Sequence, residues 1–265
     1  MRLLTFLSDF GLESPYPAAM KAVAAGICDA RFVDISHAVP PHAVRTGAYL
    51  LWSVAPACPA GTVHCAVVDP GVGTARAPLA VASAGHIFVG PDNGLLLPAA
   101  KRLGTPRVYR LTNAAYRREP VSATFHGRDV FAPAAAHLAA GVALDEIGTP
   151  APGHVDLILE RAEWDGPSLR GEVLWIDPFG NILTTIPGQA LAGLPAGREI
   201  SVEVQKGGLR ATAGRTFGDV APGAAVVLTG SDGFVEIALN RARAASLLGA
   251  APGDPVWLRP ADIGS

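Results

Sequence analysis

The sequence predicts an α/β protein: an N-terminal sheet domain with helices on both faces, followed by a smaller C-terminal domain of mostly antiparallel strands. In the first half, short apolar runs alternate with helical patterns, as expected of strands joined by crossover helices. Beyond a Pro/Gly-rich stretch at 148–153 the pattern changes to short strands separated by turn signals. We therefore expect an N-terminal domain over 1–150, a linker over 151–168 and a C-terminal domain over 169–265.

The N-terminal elements follow from hydrophobic periodicity and from start and stop signals. Pro17 opens the first helix at a position where its missing N–H costs nothing, and Gly141 closes the last one. The predicted helices are 17–28, 43–55, 94–103 and 128–141. The predicted strands are the apolar runs 3–7, 31–35, 62–68, 77–83, 87–90 and 107–111.

The C-terminal elements are predicted to be mostly strands. A hairpin is expected over 200–213, turning at 206–208 where two glycines follow a lysine. One short helix is expected at 240–248. The other predicted strands are 171–177, 181–186, 225–229, 234–239 and 255–259.

Composition limits the classes of partner. The chain has 265 residues, 49% of them hydrophobic, a formal net charge of -2 and no Lys/Arg run, which argues against nucleic-acid or anionic-membrane binding. Three cysteines without a CxxC pair argue against a disulfide framework. Asp9 and Glu13 interrupt the apolar N-terminus, and prolines break the uncharged stretch 46–68, so no membrane segment is expected. We expect a small-molecule partner and a cytoplasmic protein.

Acidic residues follow four of the predicted strands. Asp9, Asp69, Asp92 and Asp177 each come after an apolar run. One such acid is explained by turn chemistry, but open α/β sheets bind ligands outside the carboxyl ends of their strands. The recurrence therefore favours a binding or catalytic site at this edge.

Asp69, Arg76 and His126 form a candidate catalytic set. An arginine can hold a carboxylate bidentately and a histidine can hold or relay a proton, so the set suits positioning and deprotonating a water. Each residue alone also has a structural interpretation, as a turn cap, an ion-pair partner or a helix-start residue.

Two competing chemistries have weaker support. Asp9, Asp69 and His126 could ligate a metal, but no HExxH, HxH or clustered Cys/His spacing is present, and His37 and His42 are expected to flank a turn at the adjacent prolines. The glycines after Asp69 lack the third glycine of a dinucleotide fingerprint.

The segment 177–181 offers a carboxylate, an aromatic face and an amide within five residues. An amide can bind a purine edge through paired hydrogen bonds, and an aromatic ring can stack on a base. The alternative is an Asx-type turn between two strands.

Six short motifs occur in order along the chain, and together they make it similar to one family. They are Ser8-Asp-Phe-Gly11, Asp69-Pro-Gly-Val-Gly73, Gly90-Pro-Asp-Asn-Gly94, Phe125-His-Gly-Arg-Asp129, Asp177-Pro-Phe-Gly-Asn181 and the ten residues 231–240. The chain resembles the S-adenosyl-L-methionine (SAM) hydrolase (adenosine-forming) family, also called SAM hydroxide adenosyltransferases. These are relatives of the SAM-dependent fluorinase and chlorinase.

The resemblance implies attack of water or hydroxide on C5′ of SAM, giving adenosine and L-methionine, with SAM as substrate and with neither cofactor nor metal. It also implies a homotrimer whose sites lie between the N-domain of one subunit and the C-domain of its neighbour. By motif, Asp69, Arg76 and His126 correspond to the water-activating triad. Carried over in the same way, Asp9 grips the ribose hydroxyls, Asp177 holds the methionine ammonium, Asn181 binds adenine and Ser231 contacts methionine.

Two alternatives to hydrolysis remain. The halogenases carry no such histidine in the Phe-His-Gly segment and have a hydroxyl residue where Gly127 stands, so hydrolysis is favoured over halide transfer. A SAM- or adenosine-binding protein without turnover is the alternative from a different class. The chain departs from the family at Thr185, where the family commonly has asparagine.

Overall fold

The computed structural model describes residues 2–205 and 207–260, and the chain divides into two units, Met1–Leu157 and Ile158–Ser265. The first unit is a sheet flanked by helices and the second consists mostly of antiparallel strands. The predicted fold class is confirmed.

The sheet of the first unit has seven strands in the order β2-β1-β3-β5-β4-β6-β7. Strands β2, β1, β3 and β5 are parallel neighbours, whereas β4, β6 and β7 are antiparallel additions. Their bounds are β1 (Leu3–Ser8), β2 (Arg31–Ser36), β3 (Val63–Val67), β4 (Pro78–Ser83), β5 (His86–Pro91), β6 (Arg107–Leu111) and β7 (Gly148–Pro150).

Strands β4 and β5, which the sequence predicts as two separate strands, form a tight hairpin. Its turn is Ala84-Gly85, with φ values of 46° and 82°. Two consecutive positive φ values give the backbone twist that matches a two-residue hairpin. The first turn position is Ala84, and alanine rarely adopts a positive φ. The sequence therefore lacks the glycine or asparagine that would predict a tight hairpin turn at this position.

Helices cover both faces of this sheet. They are α1 (Tyr16–Ala25), α2 (Val44–Val54), α3 (Leu97–Leu103), α4 (Ala132–Ala140) and the short α5 (Leu144–Ile147). Helices α1 and α4 pack on each other and on the face that carries Leu4 and Phe6. Helices α2 and α3 pack together on the opposite face, where a Cβ at Gly47 would lie 2.9 Å from Val68. The absence of a side chain at Gly47 therefore lets α2 approach the sheet closely.

The second unit is built on an eight-stranded sheet in the order β10-β14-β13-β12-β11-β15-β9-β8. Strand β9 also pairs with β10, so the sheet closes on itself around an apolar interior. The elements are β8 (Glu163–Asp165), β9 (Ser168–Ile176), β10 (Ile182–Pro187), β11 (Glu199–Val204), β12 (Gly207–Ala213), β13 (Ala225–Thr229), β14 (Phe234–Leu239), α6 (Ala244–Leu248) and β15 (Pro255–Pro260).

Two elements of the second unit differ from the sequence prediction. Strand β8 lies within the segment predicted as a linker, where it pairs with the start of β9. The helix predicted at 240–248 begins only at Ala244, because Arg241 has a φ of 58° and turns the chain out of helical geometry. The predicted hairpin is present as β11 and β12, although Lys206 of its turn lies outside the described residues.

All three cysteines, each at a described position, are free thiols. Within the part of the chain that the structure describes, no helix is long and apolar enough to cross a membrane.

Candidate functional site

Two of the predicted acids lie just beyond the carboxyl ends of two neighbouring parallel strands. Strands β1 and β3 are parallel neighbours in which Ser8 is opposite Val67. Asp9 follows the end of β1, and Asp69 comes two residues after β3. Both side chains line a cavity of about 280 Å³ in the first unit, as does His126.

Arg76 joins the other two members of the predicted catalytic set. Its Nε lies 3.0 Å from each carboxylate oxygen of Asp69, and its Nη2 lies 2.5 Å from Oδ2. The same Nη2 lies 2.7 Å from Nδ1 of His126. The Asp69 and Arg76 side chains are 5% and 10% exposed, so this ion pair is shielded from water. The structure thus brings Asp69, Arg76 and His126 into one hydrogen-bonded cluster.

The contact with Arg76 determines the protonation pattern of His126. A guanidinium can only donate hydrogen bonds, so Nδ1 of His126 accepts and the neutral ring carries its proton on Nε2. Burial lowers the pKa of His126 below its usual value, and the nearby charge of Arg76 lowers it further. His126 is therefore a neutral side chain at pH 7 that offers an N–H donor at Nε2.

The loop carrying Asp69 and Arg76 packs closely against the loop before His126. Gly73 has a φ of 77°, and a Cβ there would lie only 2.5 Å from the carbonyl oxygen of Ala123. On the other side of His126, the buried Asp129 accepts hydrogen bonds from Arg128 and from the backbone N–H of Ser122. The hydrogen bonds from Arg128 outweigh burial and hold the pKa of Asp129 below its usual value. Asp129 is thus a charged anchor for the His126 loop, a role that the motif alone did not indicate.

Three aromatic rings that are not among the predicted site residues line the same cavity. Phe10, Tyr16 and Phe125 contact one another edge to face, with centroid separations of 5.1–5.9 Å. A Cβ at Gly127 would lie 3.1 Å from the Phe10 ring. These rings form an apolar wall that packs tightly against Gly127, so a side chain at position 127 would displace the Phe10 ring. The sequence signal was the phenylalanine inside each of two motifs.

Asp9 is held by a backbone contact. Its Oδ2 accepts a hydrogen bond of 2.9 Å from the N–H of His42, which has a φ of 66° and also lines the cavity. The predicted turn at the two prolines therefore lies against the site itself.

The four strand-end acids do not all belong to one site. Oδ1 of Asp92 accepts from the N–H of Val155, and the neighbouring Asn93 donates to the carbonyl of Val68. Asp92 therefore anchors a loop and does not line the cavity. Asp177 lies in the second unit. Turn and loop stabilisation therefore explains at least Asp92 among the four acids, as the alternative interpretation of a strand-end acid allowed.

The second unit has a cavity of its own, of about 580 Å³. Asn181 and the exposed ring of Phe179 line it, together with Pro178, Phe217, Leu239, Asn240, Arg241, Ala242 and Arg243. An open cavity with two aromatic rings and an amide can accept a flat, hydrogen-bonding ligand.

The loop 177–181 is also the Asx-type turn that was the alternative interpretation. Asp177 accepts hydrogen bonds of 2.8 and 2.9 Å from the backbone N–H and the side-chain amide of Asn181. Arg243 braces the loop by donating to the carbonyl of Pro178. Ser231 lies exposed in the turn between β13 and β14 and does not line this cavity.

The metal-binding alternative is in conflict with the position of Arg76. Its guanidinium contacts both oxygens of Asp69 and Nδ1 of His126, and its positive charge would repel a metal ion at these atoms. Within 2–205 and 207–260, no group of three or more His, Cys, Asp and Glu side chains has the arrangement of a metal site.

The fold and the site define a class of protein: a two-unit α/β protein whose strand-end cavity is lined by a carboxylate and a neutral histidine, both bound to one arginine, an arrangement suited to activating a water. More narrowly, the chain belongs to the SAM hydroxide adenosyltransferase family. The model of that family's N-terminal domain matches residues 4–148, and the model of its C-terminal domain matches residues 171–257.

Individual relatives agree with this assignment. An (R)-S-adenosyl-L-methionine hydrolase from Salinispora tropica is 46% identical, over 95% of each chain. A protein with the same name from Thermus thermophilus is 46% identical, over 97% of this chain and all of its own length. The crystal structure of an uncharacterized conserved protein from Thermotoga maritima superposes with a TM-score of 0.90 at 34% identity, covering 97% of this chain and 99% of that chain. A fluorinase from Nocardia brasiliensis is more distant, at 29% identity over 91% of each chain.

Proposed function

We propose that the protein hydrolyses S-adenosyl-L-methionine, with water or hydroxide attacking C5′ to release adenosine and L-methionine. The observation that carries this conclusion is the cluster of Asp69, Arg76 and His126 at a strand-end cavity, in a chain whose family is that of the SAM hydroxide adenosyltransferases. Relatives 46% identical to it are named (R)-S-adenosyl-L-methionine hydrolase.

The reaction needs an aligned nucleophile but no general acid. The water oxygen forms a bond to C5′ while the C5′–S bond breaks, and sulfur keeps the electron pair and leaves as a neutral thioether. The water must lose one proton. The protein therefore has to hold a water opposite the sulfur and accept its proton.

Asp69 is the group that accepts the proton in this mechanism. His126 receives the Arg76 hydrogen bond on Nδ1 and carries its own proton on Nε2, so both ring nitrogens are occupied. A carboxylate has about four lone-pair sites, and the Arg76 contacts leave some of them available for a water. His126 then orients that water by donating from Nε2.

The remaining substrate contacts are distributed over the two units. Asp9 accepts hydrogen bonds from the ribose hydroxyls at the unit-1 cavity, and the aromatic wall excludes bulk water there. In unit 2, Asn181 and Phe179 bind adenine, Asp177 pairs with the methionine ammonium and Ser231 contacts the methionine.

Halide transfer is the closest alternative reaction. A halogenase has a hydroxyl residue at the position of Gly127, but here any side chain at 127 would press against the Phe10 ring. The arginine and neutral histidine also surround a proton acceptor, which a halide nucleophile does not require. Both observations favour water as the nucleophile.

The proposed assembly is a homotrimer in which the first unit of one subunit and the second unit of its neighbour contribute to each site. Support comes from the family and from the separation of the nucleophile-activating groups and the adenine-binding groups into different units. The protein is proposed to act in the cytoplasm without a cofactor or a metal ion.

The test is product analysis with chelator-treated protein and SAM in chloride-free buffer made with H₂¹⁸O. We expect equimolar adenosine and methionine, with ¹⁸O in the 5′-hydroxyl of adenosine. That position of the label identifies the carbon that water attacks.

Parallel reactions with added chloride or fluoride identify a halogenase by the appearance of a 5′-halo-5′-deoxyadenosine. Bound SAM without any product would instead indicate a binding protein. Activity that disappears with chelator and returns with a divalent metal would refute the metal-free mechanism.

A further inference from the structure

A chain of hydrogen bonds lies behind the strand end that carries Asp9. Oγ of Ser8 is 2.8 Å from Nδ1 of His37, and Nε2 of His37 is 3.1 Å from Oδ1 of Asp34. Lys21 reaches the other oxygen of Asp34 at 2.8 Å. Ser8 and His37 are only 0% and 4% exposed, whereas Asp34 and Lys21 lie at the surface. The chain thus connects a buried strand end to a solvated ion pair.

The hydrogen bonds in this chain have a consistent direction. The Asp34 carboxylate only accepts, so Nε2 of His37 donates to it. In the neutral imidazole, Nδ1 of His37 then accepts from the Ser8 hydroxyl, and Ser8 Oγ in turn accepts from the N–H of Phe10 at 3.3 Å. Burial raises the pKa of Asp34, but the hydrogen bonds from Lys21 and His37 outweigh it, so this pKa lies below its usual value.

The Ser-His-Asp composition does not make this chain a nucleophilic triad. The Ser8 side chain has no solvent-exposed surface, and its Oγ is already bonded to Nδ1 of His37 and to the Phe10 N–H. A substrate carbon has no access to that oxygen. The arrangement therefore acts on its neighbours in the chain.

His37 holds both residues that flank the Asp9-Phe10 pair. Its imidazole holds Ser8 on one side, and its carbonyl oxygen accepts a 2.8 Å hydrogen bond from the N–H of Gly11 on the other. Two further contacts tie the same segments together: Val39 N–H to Ser8 O, and His42 N–H to the Asp9 carboxylate.

We propose that His37 is a positioning residue for Asp9: acting through Ser8, it sets the direction in which the Asp9 carboxylate meets the ribose. The inference rests on the proposed SAM hydrolysis and on the proposed role of Asp9 in it. It gives His37 a role beyond flanking the turn before the two prolines.

Substituting asparagine or glutamine for His37 tests its two side-chain hydrogen bonds one at a time. His37→Asn places an amide near the position of Nδ1 and keeps the bond to Ser8, whereas His37→Gln reaches the position of Nε2 and keeps only the bond to Asp34. We expect His37→Ala and His37→Gln to raise KM for SAM about tenfold, with a smaller change in kcat, since both variants lose the buried hydrogen bond to Ser8. His37→Asn should restore most of the affinity lost in His37→Ala.

The preference for SAM over an analogue without the 2′-hydroxyl is a second measurement. A purely structural role of His37 would leave this preference unchanged. If Asp9 recognises the ribose hydroxyls, wild type prefers SAM over the 2′-deoxy analogue, and His37→Gln should reduce that preference. The same substitution should have no further effect in an Asp9→Ala background. His154→Gln, at an exposed histidine, is the matched control. Asp34→Asn, at a half-exposed carboxylate, supplies a milder variant if His37→Gln fails to fold.

Equal losses in His37→Asn and His37→Gln, or an unchanged preference for the 2′-hydroxyl in His37→Gln, would overturn the inference. Turnover by wild type tests the proposed function separately. If wild type binds SAM without hydrolysing it, the same comparisons are made on dissociation constants by calorimetry. A wild type that shows no preference for the 2′-hydroxyl would also overturn the inference.

Discussion

Arg76 contacts Asp69 and His126 at once, so the chemistry of each depends on the other. At the scale of single residues, this contact gives Asp69 and His126 different hydrogen-bonding roles. Asp69 has lone pairs available for a water, and His126 has a proton to donate. The two side chains are therefore expected to respond differently to substitution.

Asp69→Asn should lower kcat by about 100-fold or more, since general-base catalysis contributes roughly 10²–10⁴-fold. His126→Gln, which keeps a donor near the position of Nε2, should lower kcat less. Rates of adenosine formation and SAM dissociation constants should be measured for both variants, with His154→Gln as control. A larger loss in His126→Gln than in Asp69→Asn would assign the proton to the imidazole instead.

The pH dependence follows from the lowered pKa of His126. Protonation would place an N–H on Nδ1 opposite the Arg76 guanidinium, so the active form is the neutral one. This form persists above the lowered pKa, and activity should stay level from pH 8 to below 6.5 and fall only in more acidic solution. A kcat/KM profile from pH 4.5 to 8.5 is the measurement. An acid limb centred at or above 6.5 would contradict it.

The sequence predicts some residues of the site better than others. Asp9, Asp69, Arg76 and His126 stand in short motifs, and their chemistry is recognisable there. His37 was predicted only to flank a turn, because its partner Ser8 is 29 positions away along the chain. A hydrogen bond of that separation becomes visible only when β1 and the segment after β2 are folded together.

At the scale of elements, the Asp69–Arg76–His126 cluster depends on two loops being close together. Gly73 and Gly61 both have positive φ, but only Gly73 is also packed against another loop, at Ala123. Gly73→Ala should therefore reduce turnover strongly, because the Asp69 loop must move away from the His126 loop. Gly61→Ala is the matched control: its backbone strain lowers stability by about 1 kcal/mol without affecting the site.

Adenosine formation and thermal unfolding should be measured for both glycine variants. Similar turnover in the two variants would mean that the contact with Ala123 does not position the cluster.

A pair of buried histidines in β3 and β5 should make the first unit sensitive to acid. His64 donates or accepts at both ring nitrogens, towards Thr5 and His86, and stacks on Phe88. Burial, together with the neighbouring His86, lowers the pKa of His64 to about 3. The unfolded chain binds this proton near pH 6.5, so the stabilisation is complete above that pH and is lost as pH falls towards about 3.

Thermal unfolding of wild type and His64→Gln between pH 7 and 4 tests this assignment. The melting temperature of the variant should depend less on pH, because glutamine does not titrate, even if the variant is less stable throughout. His154→Gln should keep the slope of wild type. Parallel slopes in all three proteins would show that His64 does not control acid stability.

At the scale of the whole molecule, the proposed trimer predicts complementation between inactive variants. Asp69→Asn damages the first unit, and Asp177→Ala damages the second. If each site takes its two halves from different subunits, mixed trimers of these variants contain some intact sites, at most about a quarter of the total for random assembly of a cyclic trimer.

The two variants should be mixed 1:1, unfolded and refolded together, and assayed for adenosine. Refolded wild type and each variant refolded alone are the controls. Recovery of activity only in the mixture supports sites shared between neighbours. No recovery, while refolded wild type regains its activity, would place each site within a single chain.

The sequence by itself determined the fold class, most element positions and the identity of the candidate site residues. Local periodicity, turn residues and short motifs depend on neighbours within about ten positions, and all of these are present in the chain as written. The sequence did not predict the β4–β5 hairpin turn or strand β8, because the local residues carry only weak turn and strand signals there.

Only the tertiary structure decided which of these residues act together. It separated Asp92 from Asp69, placed Arg76 between a carboxylate and an imidazole, and thereby gave His126 its tautomer. It also joined Ser8 to His37. The physical reason is that hydrogen bonds, burial and electrostatic shifts act over a few ångströms in space, and distance along the chain carries no information about them.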